Sequence, residues 1–227
     1  QARDLITIGD STFLLEQETD SPTISGEAAQ QTQAASLRAV VVTVLVADVC
    51  GYTRISESVP SREVALMLQR WFEMVSDTVR SNGGEVNKYI GDAVMAIWQG
   101  SREEASQRAK QATEAAAIIL RETPLHSTRE GWAYQGDYPW VCRVCLNTGE
   151  ALQGIFGSSM SRDFTVLGDT VNVAFRLEGI AKTLQHKFVV SQATADLIQD
   201  SFRLSNLGSV NAKGKSEPLT VFGVETL

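Results

Sequence analysis

The sequence predicts an α+β fold, a ferredoxin-like βαββαβ core with added C-terminal strands, and three observations carry that prediction. A near-continuous run of β-branched residues from Val40 to Val46 reads as a strand buried on both faces. Val64, Leu68, Trp71, Phe72, Val75 and Val79 recur at spacings of three and four, the stripe of a helix with one buried face. Two strand-like runs, 85–90 and 93–98, are separated only by Gly91 and Asp92, which suits a two-residue type II′ hairpin. Strand, helix, hairpin and a further helix make a plan in which helices cover a sheet capable of antiparallel pairing.

Taken in order, residues 4–15 hold two short alternating runs around Gly9 and Asp10, a β-hairpin too small to fold alone. From 17 to 38 the composition turns to Gln, Glu, Thr, Ser, Ala and Gly, which reads as a linker. The chain begins at Gln1 rather than methionine, so a piece of a longer protein is expected. The domain proper spans 39–227. Its first strand ends at Asp48, and Gly51 follows closely. The long helix opens at Pro60-Ser61 and stops at Asn82-Gly83-Gly84. Ser101 with Glu104 forms a capping box that opens an Ala-rich helix ending near Leu120, and 122–139 reads as a loop. Strands are expected around 141–147 and 151–156, then a helix over 170–182, a strand over 188–190 and a short helix capped by Ser191. Two last strands fall near 204–210 and 219–224. There is no internal repeat.

A chain of 227 residues can bury one good core with an appendage. Its net charge of −7 and pI near 4.9 argue against a sequence-independent grip on nucleic acid, which needs a basic surface to displace counterions. The cysteine count is odd (Cys50, Cys142, Cys145), so a disulfide framework is not expected and a reducing, cytoplasmic setting is. Cys142 and Cys145 form a C-x-x-C, but on a predicted strand residues three apart point to opposite faces. Only His126 and His186 are available to complete a zinc site, so a structural role for both thiols is favoured. No apolar run is long enough to span a bilayer, and no membrane contact is expected of this piece.

Asp48 is the odd residue of its strand. A carboxylate at the end of a buried strand costs desolvation free energy unless something positive meets it. Asp92 sits at the hairpin tip, and in this plan the first strand lies beside the third, so both carboxylates reach one edge. With the backbone carbonyl of Val49 they would make a hard-oxygen cup for one or two Mg²⁺ or Mn²⁺ that keep phosphate oxygens as remaining ligands. The competing reading is two unrelated turn aspartates. Asn172 and Arg176 are four apart, so on a helix they address one ligand together, or else lie on a solvated face. Lys213 and Lys215 flank Gly214 in a loop that could clamp phosphate or be a surface turn.

Five segments, in order, resemble the signature of the class III nucleotidyl cyclase catalytic domain. They are 44–53 (Val-Leu-Val-Ala-Asp48-Val-Cys-Gly-Tyr-Thr), 87–96 (Asn-Lys88-Tyr-Ile-Gly-Asp92-Ala-Val-Met-Ala) and 146–151 (Leu-Asn-Thr-Gly-Glu-Ala). The others are 165–176 (Thr165-Val-Leu-Gly-Asp-Thr-Val-Asn172-Val-Ala-Phe-Arg176) and Lys213-Gly214. The likeness runs from about Ala39 to the C-terminus, with Tyr52 where the family usually has Phe. It implies that Asp48, Asp92 and the Val49 carbonyl bind two Mg²⁺, for which Mn²⁺ can substitute. Asn172 would orient the ribose and Arg176 would stabilise charge on the α-phosphate. Lys213 would bind the triphosphate, with Lys215 as the fallback.

Base choice would fall to Lys88 and Thr165, the pairing of adenylyl cyclases. A lysine donor suits N1 of adenine and clashes with N1–H of guanine, whereas a threonine hydroxyl can accept or donate and so discriminates less than aspartate. Thr-bearing relatives include bicarbonate-responsive enzymes. The resemblance also implies a head-to-tail homodimer with two interfacial sites, the aspartates coming from one protomer and Lys88, Thr165, Asn172 and Arg176 from the other. Residues 1–16 weakly resemble the closing strands of a forkhead-associated domain, which implies a phosphopeptide partner through an upstream module.

The reading is therefore an adenylyl cyclase domain that makes cyclic AMP and pyrophosphate from Mg·ATP. The alternatives are a guanylyl cyclase and a catalytically silent nucleotide-binding dimerisation module.

Overall fold

The computed structural model describes residues 3–8, 11–16, 37–126, 139–157, 162–211 and 217–225. The chain divides into two compact units, Gln1–Leu37 and Arg38–Leu227. In the first, β1 (Arg3–Ile8) and β2 (Ser11–Glu16) pair antiparallel with Ile8 opposite Ser11, the expected hairpin. Of the linker, residues 17–36 lie outside the described residues, and Arg38 at its end already belongs to a strand.

The second unit is built on β3 (Arg38–Val49). Its alternate side chains go to different cores, which is what a β-branched run without polar alternation requires. Leu45, Ala47 and Val49 join the cluster under α2 (Ser61–Ser81) and α3 (Ala105–His126). Val42, Val44 and Val46 face the cluster beneath α4 (Asp169–Thr183). Helix α2 buries Val64, Met67, Trp71, Val75 and Val79, while Leu68 and Phe72 sit at the margin.

The eight-stranded sheet runs β4 (Glu85–Ile90), β5 (Ala93–Gly100), β3, β6 (Cys142–Gly157), β8 (Phe188–Ser191), β10 (Leu219–Val224) and β9 (Leu204–Val210), with β7 (Arg162–Leu167) added against β6. Strands β4 and β5 form the tight hairpin, and β5 lies beside β3 as the ferredoxin-like plan demands. Strand β8 is parallel to β6, and β9 and β10 close the far edge. Ser191 caps α5 (Gln192–Ile198), its hydroxyl accepting from the Thr194 N–H.

Four expectations are corrected. The two strands predicted around 141–147 and 151–156 are one, β6 (Cys142–Gly157). Thr148, Gly149 and Glu150 read as a break, but the polar side chains along this stretch are satisfied within the sheet and its cover. Asn147 Nδ2 donates to the Thr170 carbonyl at 2.7 Å, and Thr148 Oγ1 lies 2.9 Å from Thr43 Oγ1 and 3.0 Å from Thr194 Oγ1. Helix α3 does not end near Leu120 but runs to His126 with Pro124 inside it. Thr123 anchors that extension, its hydroxyl buried and accepting from Trp71 Nε1 at 3.0 Å. Residues 52–58, assigned to no element in the sequence, form α1 (Tyr52–Ser58), entered through Gly51 at φ 73 and holding Ile55 in the core. Strand β7 (Arg162–Leu167) was likewise unforeseen. The thiols behave as read: Cys142 belongs to the α2/α3 core and Cys145 to the core under α4, both free and buried. Burial pushes the Cys142 thiol up to about 12, the opposite direction from the lowered value of a reactive thiol.

Candidate active site

Asp48 stands at the end of β3, registered against Ala93 on one side and Arg143 on the other. The hairpin places Asp92 one residue before Ala93. Gly91 has φ 62 and Asp92 has no positive φ, the pattern of a type II′ turn, where only the first position needs the left-handed region. The two carboxylates therefore meet within hydrogen-bonding reach. Burial first, then the charges of Asp92 and Glu178, push Asp48 up to about 7, while Arg143 pulls it down. Two carboxylates in contact at a half-buried edge hold a proton or a cation, so a divalent ion fits this pair. Among the described residues no group of three or more His, Cys, Asp or Glu side chains could enclose a metal. The pair thus supplies part of a coordination sphere and leaves the rest to backbone and ligand oxygens. Val49 buries its side chain, so its main chain is what it offers at this edge.

Arg143 is a residue the sequence reading missed. It is the register partner of Asp48, and its guanidinium lies 3.8 Å from Glu178 of α4. The available signal was alternation: a charge between the buried Cys142 and Val144 on a strand must face the opposite way.

Lys88 of β4 and Thr165 of β7 are brought to facing stretches of chain. Lys88 Nζ pairs with Asp163 Oδ2 at 2.5 Å, and Thr165 Oγ1 donates to Asn87 Oδ1 at 2.7 Å. Neither Asn87 nor Asp163 was singled out in the sequence. On α4, Asn172 is exposed and Arg176 half-buried one turn later. Arg176 Nη1 is shielded from solvent without a hydrogen bond and lies 3.8 Å from Asp169 Oδ1, too far for one. That is an orphaned donor of the kind an anion would satisfy. The charges that dominate Asp48 are those of Asp92, Glu178 of α4 and Arg143. Lys213 and Lys215 lie outside the described residues.

Residues 35–225 match the family described as the adenylate and guanylate cyclase catalytic domain. The chain belongs to that family. Adenylate cyclase 1 of Rhizobium meliloti is 31% identical over 183 residues, covering 81% of this chain and 27% of its own length. Guanylate cyclase 2G of Mus musculus is 28% identical over 181 residues, covering 79% of this chain and 16% of its own. Among solved structures, the adenylyl cyclase CyaB from P. aeruginosa superposes with a TM-score of 0.75 at 26% identity, covering 83% of this chain and 95% of that one. The cyclase domain spans 27%, 8% and 36% of the lengths of three adenylate cyclases it matches, so it is a minor part of each. No helix among the described residues is long and apolar enough to cross a membrane.

Proposed function

We propose that this domain is an adenylyl cyclase that converts ATP to 3′,5′-cyclic AMP and pyrophosphate. The observation that carries the reading is the meeting of Asp48 and Asp92 at one sheet edge, supported by Lys88 and Thr165, which the family resemblance assigns to adenine, on strands joined through Asp163 and Asn87. In the reaction the ribose 3′-oxygen bonds to the α-phosphorus as the bond to the β-phosphate oxygen breaks. No covalent enzyme intermediate is needed, in keeping with a site built without histidine or thiolate. Asp48, Asp92 and the Val49 carbonyl would hold Mg²⁺, two ions per site, whose Lewis acidity activates the hydroxyl and neutralises phosphate charge. Arg176 offers to the α-phosphate the donor that has no hydrogen bond, and Asn172, one turn away, orients the ribose. Lys88 donates to adenine N1 and Thr165 addresses N6. Lys213, or Lys215, takes the triphosphate, and Arg143 adds a cation beside the aspartates.

Following the family resemblance, we assign the complete site to a homodimer interface, with the aspartates from one protomer and Lys88, Thr165, Asn172 and Arg176 from the other. Large apolar side chains left exposed on the β6–β7 arm, with Ile155 at 51% and Phe164 at 56%, suit burial against a second copy. Domain boundaries at 16/17 and 38/39, the linker, the phosphopeptide-binding upstream module and a cytoplasmic site belong to the same proposal.

The second reading, a guanylyl cyclase, is favoured by the guanylate cyclase 2G likeness. A product assay with Mg²⁺ and Mn²⁺ salts of ATP and GTP separates them. Wild type should yield cyclic AMP, with a loss of at least about 100-fold in Asp48→Ala. Cyclic GMP in preference overturns the Lys88 and Thr165 assignment. A dimer that binds nucleotide but forms no product is the silent module.

A further inference from the structure

We infer that Asn87 is a positioning residue for base selection, acting through Thr165. The inference rests on the adenine reading above and concerns what makes a threonine selective. A hydroxyl carries one hydrogen and two lone pairs, so a free threonine accepts from the amino group of adenine as readily as it donates to O6 of guanine. In this chain that freedom is gone. Thr165 is 3% exposed, so solvent does not reorient it, and its proton is directed to Asn87 Oδ1 at 2.7 Å. With the hydrogen committed, Oγ1 presents only lone pairs to any further partner. It accepts from an exocyclic amino group and repels a carbonyl oxygen.

The neighbouring residue completes the pattern. Lys88 follows Asn87 on β4, and its ammonium is held by Asp163, which lies two residues before Thr165 on β7. An ammonium has three donors, so Asp163 leaves others for the base. One donor from Lys88 and one acceptor from Thr165 match N1 and the N6 amino group of adenine, and oppose N1–H and O6 of guanine. The base edge must part the side chains that cover Thr165 while leaving the Asn87 bond intact.

The test is the ratio of kcat/KM for ATP to that for GTP, both as Mn²⁺ salts, in wild type, Asn87→Asp, Asn87→Ala, Thr165→Val and the Asn87→Ala/Thr165→Val pair. Asn87→Ala should lower the ratio about tenfold, through a rise in GTP turnover together with a higher KM for ATP, as expected for the loss of one oriented hydrogen bond. Asn87→Asp keeps an acceptor and should hold the ratio within about threefold of wild type. With Thr165→Val in place, removing Asn87 should change the ratio by less than about twofold, because nothing is left to orient. Should Asn87→Ala not fold, Asn87→Leu keeps the volume without the acceptor and carries the same expectation.

A folded, dimeric Asn87→Ala or Asn87→Leu enzyme with the wild-type ratio overturns the inference alone. So does an Asn87→Asp enzyme that loses selectivity as fully as Asn87→Ala. A wild type that prefers GTP overturns the adenine reading first, and the inference with it.

Discussion

At the scale of single residues, Asp48 carries an electrostatic load that folding does not relieve by itself. Burial, then Asp92 and Glu178, raise it from 3.8 to about 7, and the partial relief from Arg143 is smaller. A carboxyl whose folded value lies above its unfolded one contributes stability that is complete below the unfolded value and is lost as pH rises through the folded value. The metal-free domain should therefore weaken between about pH 4 and 7 on this account. Asn at this position removes the dependence. In EDTA at about pH 8, Asp48→Asn should melt about 2–4 °C above wild type, the shift of roughly 1 kcal/mol in a chain of this size, and the gap should close near pH 4. Millimolar Mg²⁺ should raise the wild-type melting temperature at pH 8 and leave the variant unmoved, since only a folded site with both carboxylates gains from the ion. Calorimetry across the pH range checks both signs. This residue was legible in the sequence because a carboxylate at the end of an apolar run is conspicuous. Asn87 and Arg143 were not, because their significance lies in which strand faces them, and pairing is set by the whole sheet.

At the scale of elements, the misread segments share a cause: local polarity suggested a break where tertiary partners satisfy it. Gly149 shows this in the middle of β6. A Cβ there would sit 2.6 Å from Thr170 Oγ1, at the first turn of α4. Glycine is required by the helix approaching the strand, not by any turn. Gly149→Ala should displace the start of α4, costing about 1–3 kcal/mol. It should also lower kcat by at least about tenfold, because the same helix positions Asn172 and Arg176. Adding Thr170→Ser, which deletes the γ-methyl but keeps the hydroxyl nearest the new Cβ, should not restore activity. Thr170→Ala should restore it in part, although it removes the bond to the Glu150 carbonyl. The extended end of α3 offers a parallel case. Thr123→Val leaves the buried Trp71 N–H without its acceptor, and denaturant unfolding should report a loss of about 1–3 kcal/mol. Periodicity revealed α2 and α4 well because each buries one stripe, whereas α1 is too short to show one.

At the scale of the molecule, the arrangement of two chemically distinct sets decides how many chains a site needs. Asp48 and Asp92 close one edge of the sheet, while Arg176 keeps a donor without a hydrogen bond on α4 and Lys88 and Thr165 belong to the β4 and β7 group. If each site takes its aspartates from one protomer and its α4 and base-reading residues from the other, two individually dead chains must complement. Asp48→Ala removes the metal set and Arg176→Ala the phosphate set. In a heterodimer of the two, one site inherits both lesions and the other inherits none. Equal co-expression with random pairing should then restore roughly a quarter of wild-type specific activity, since about half the dimers are mixed and each mixed dimer has one of two sites intact. Asp48→Ala mixed with Asp92→Ala serves as the control. Those lesions fall in the same set, so every site in the mixed dimer carries one of them and the mixture should stay inactive. Recovery in the first mixture but not the second locates the site between chains. No recovery from mixed dimers verified by mass would place each complete site within one protomer.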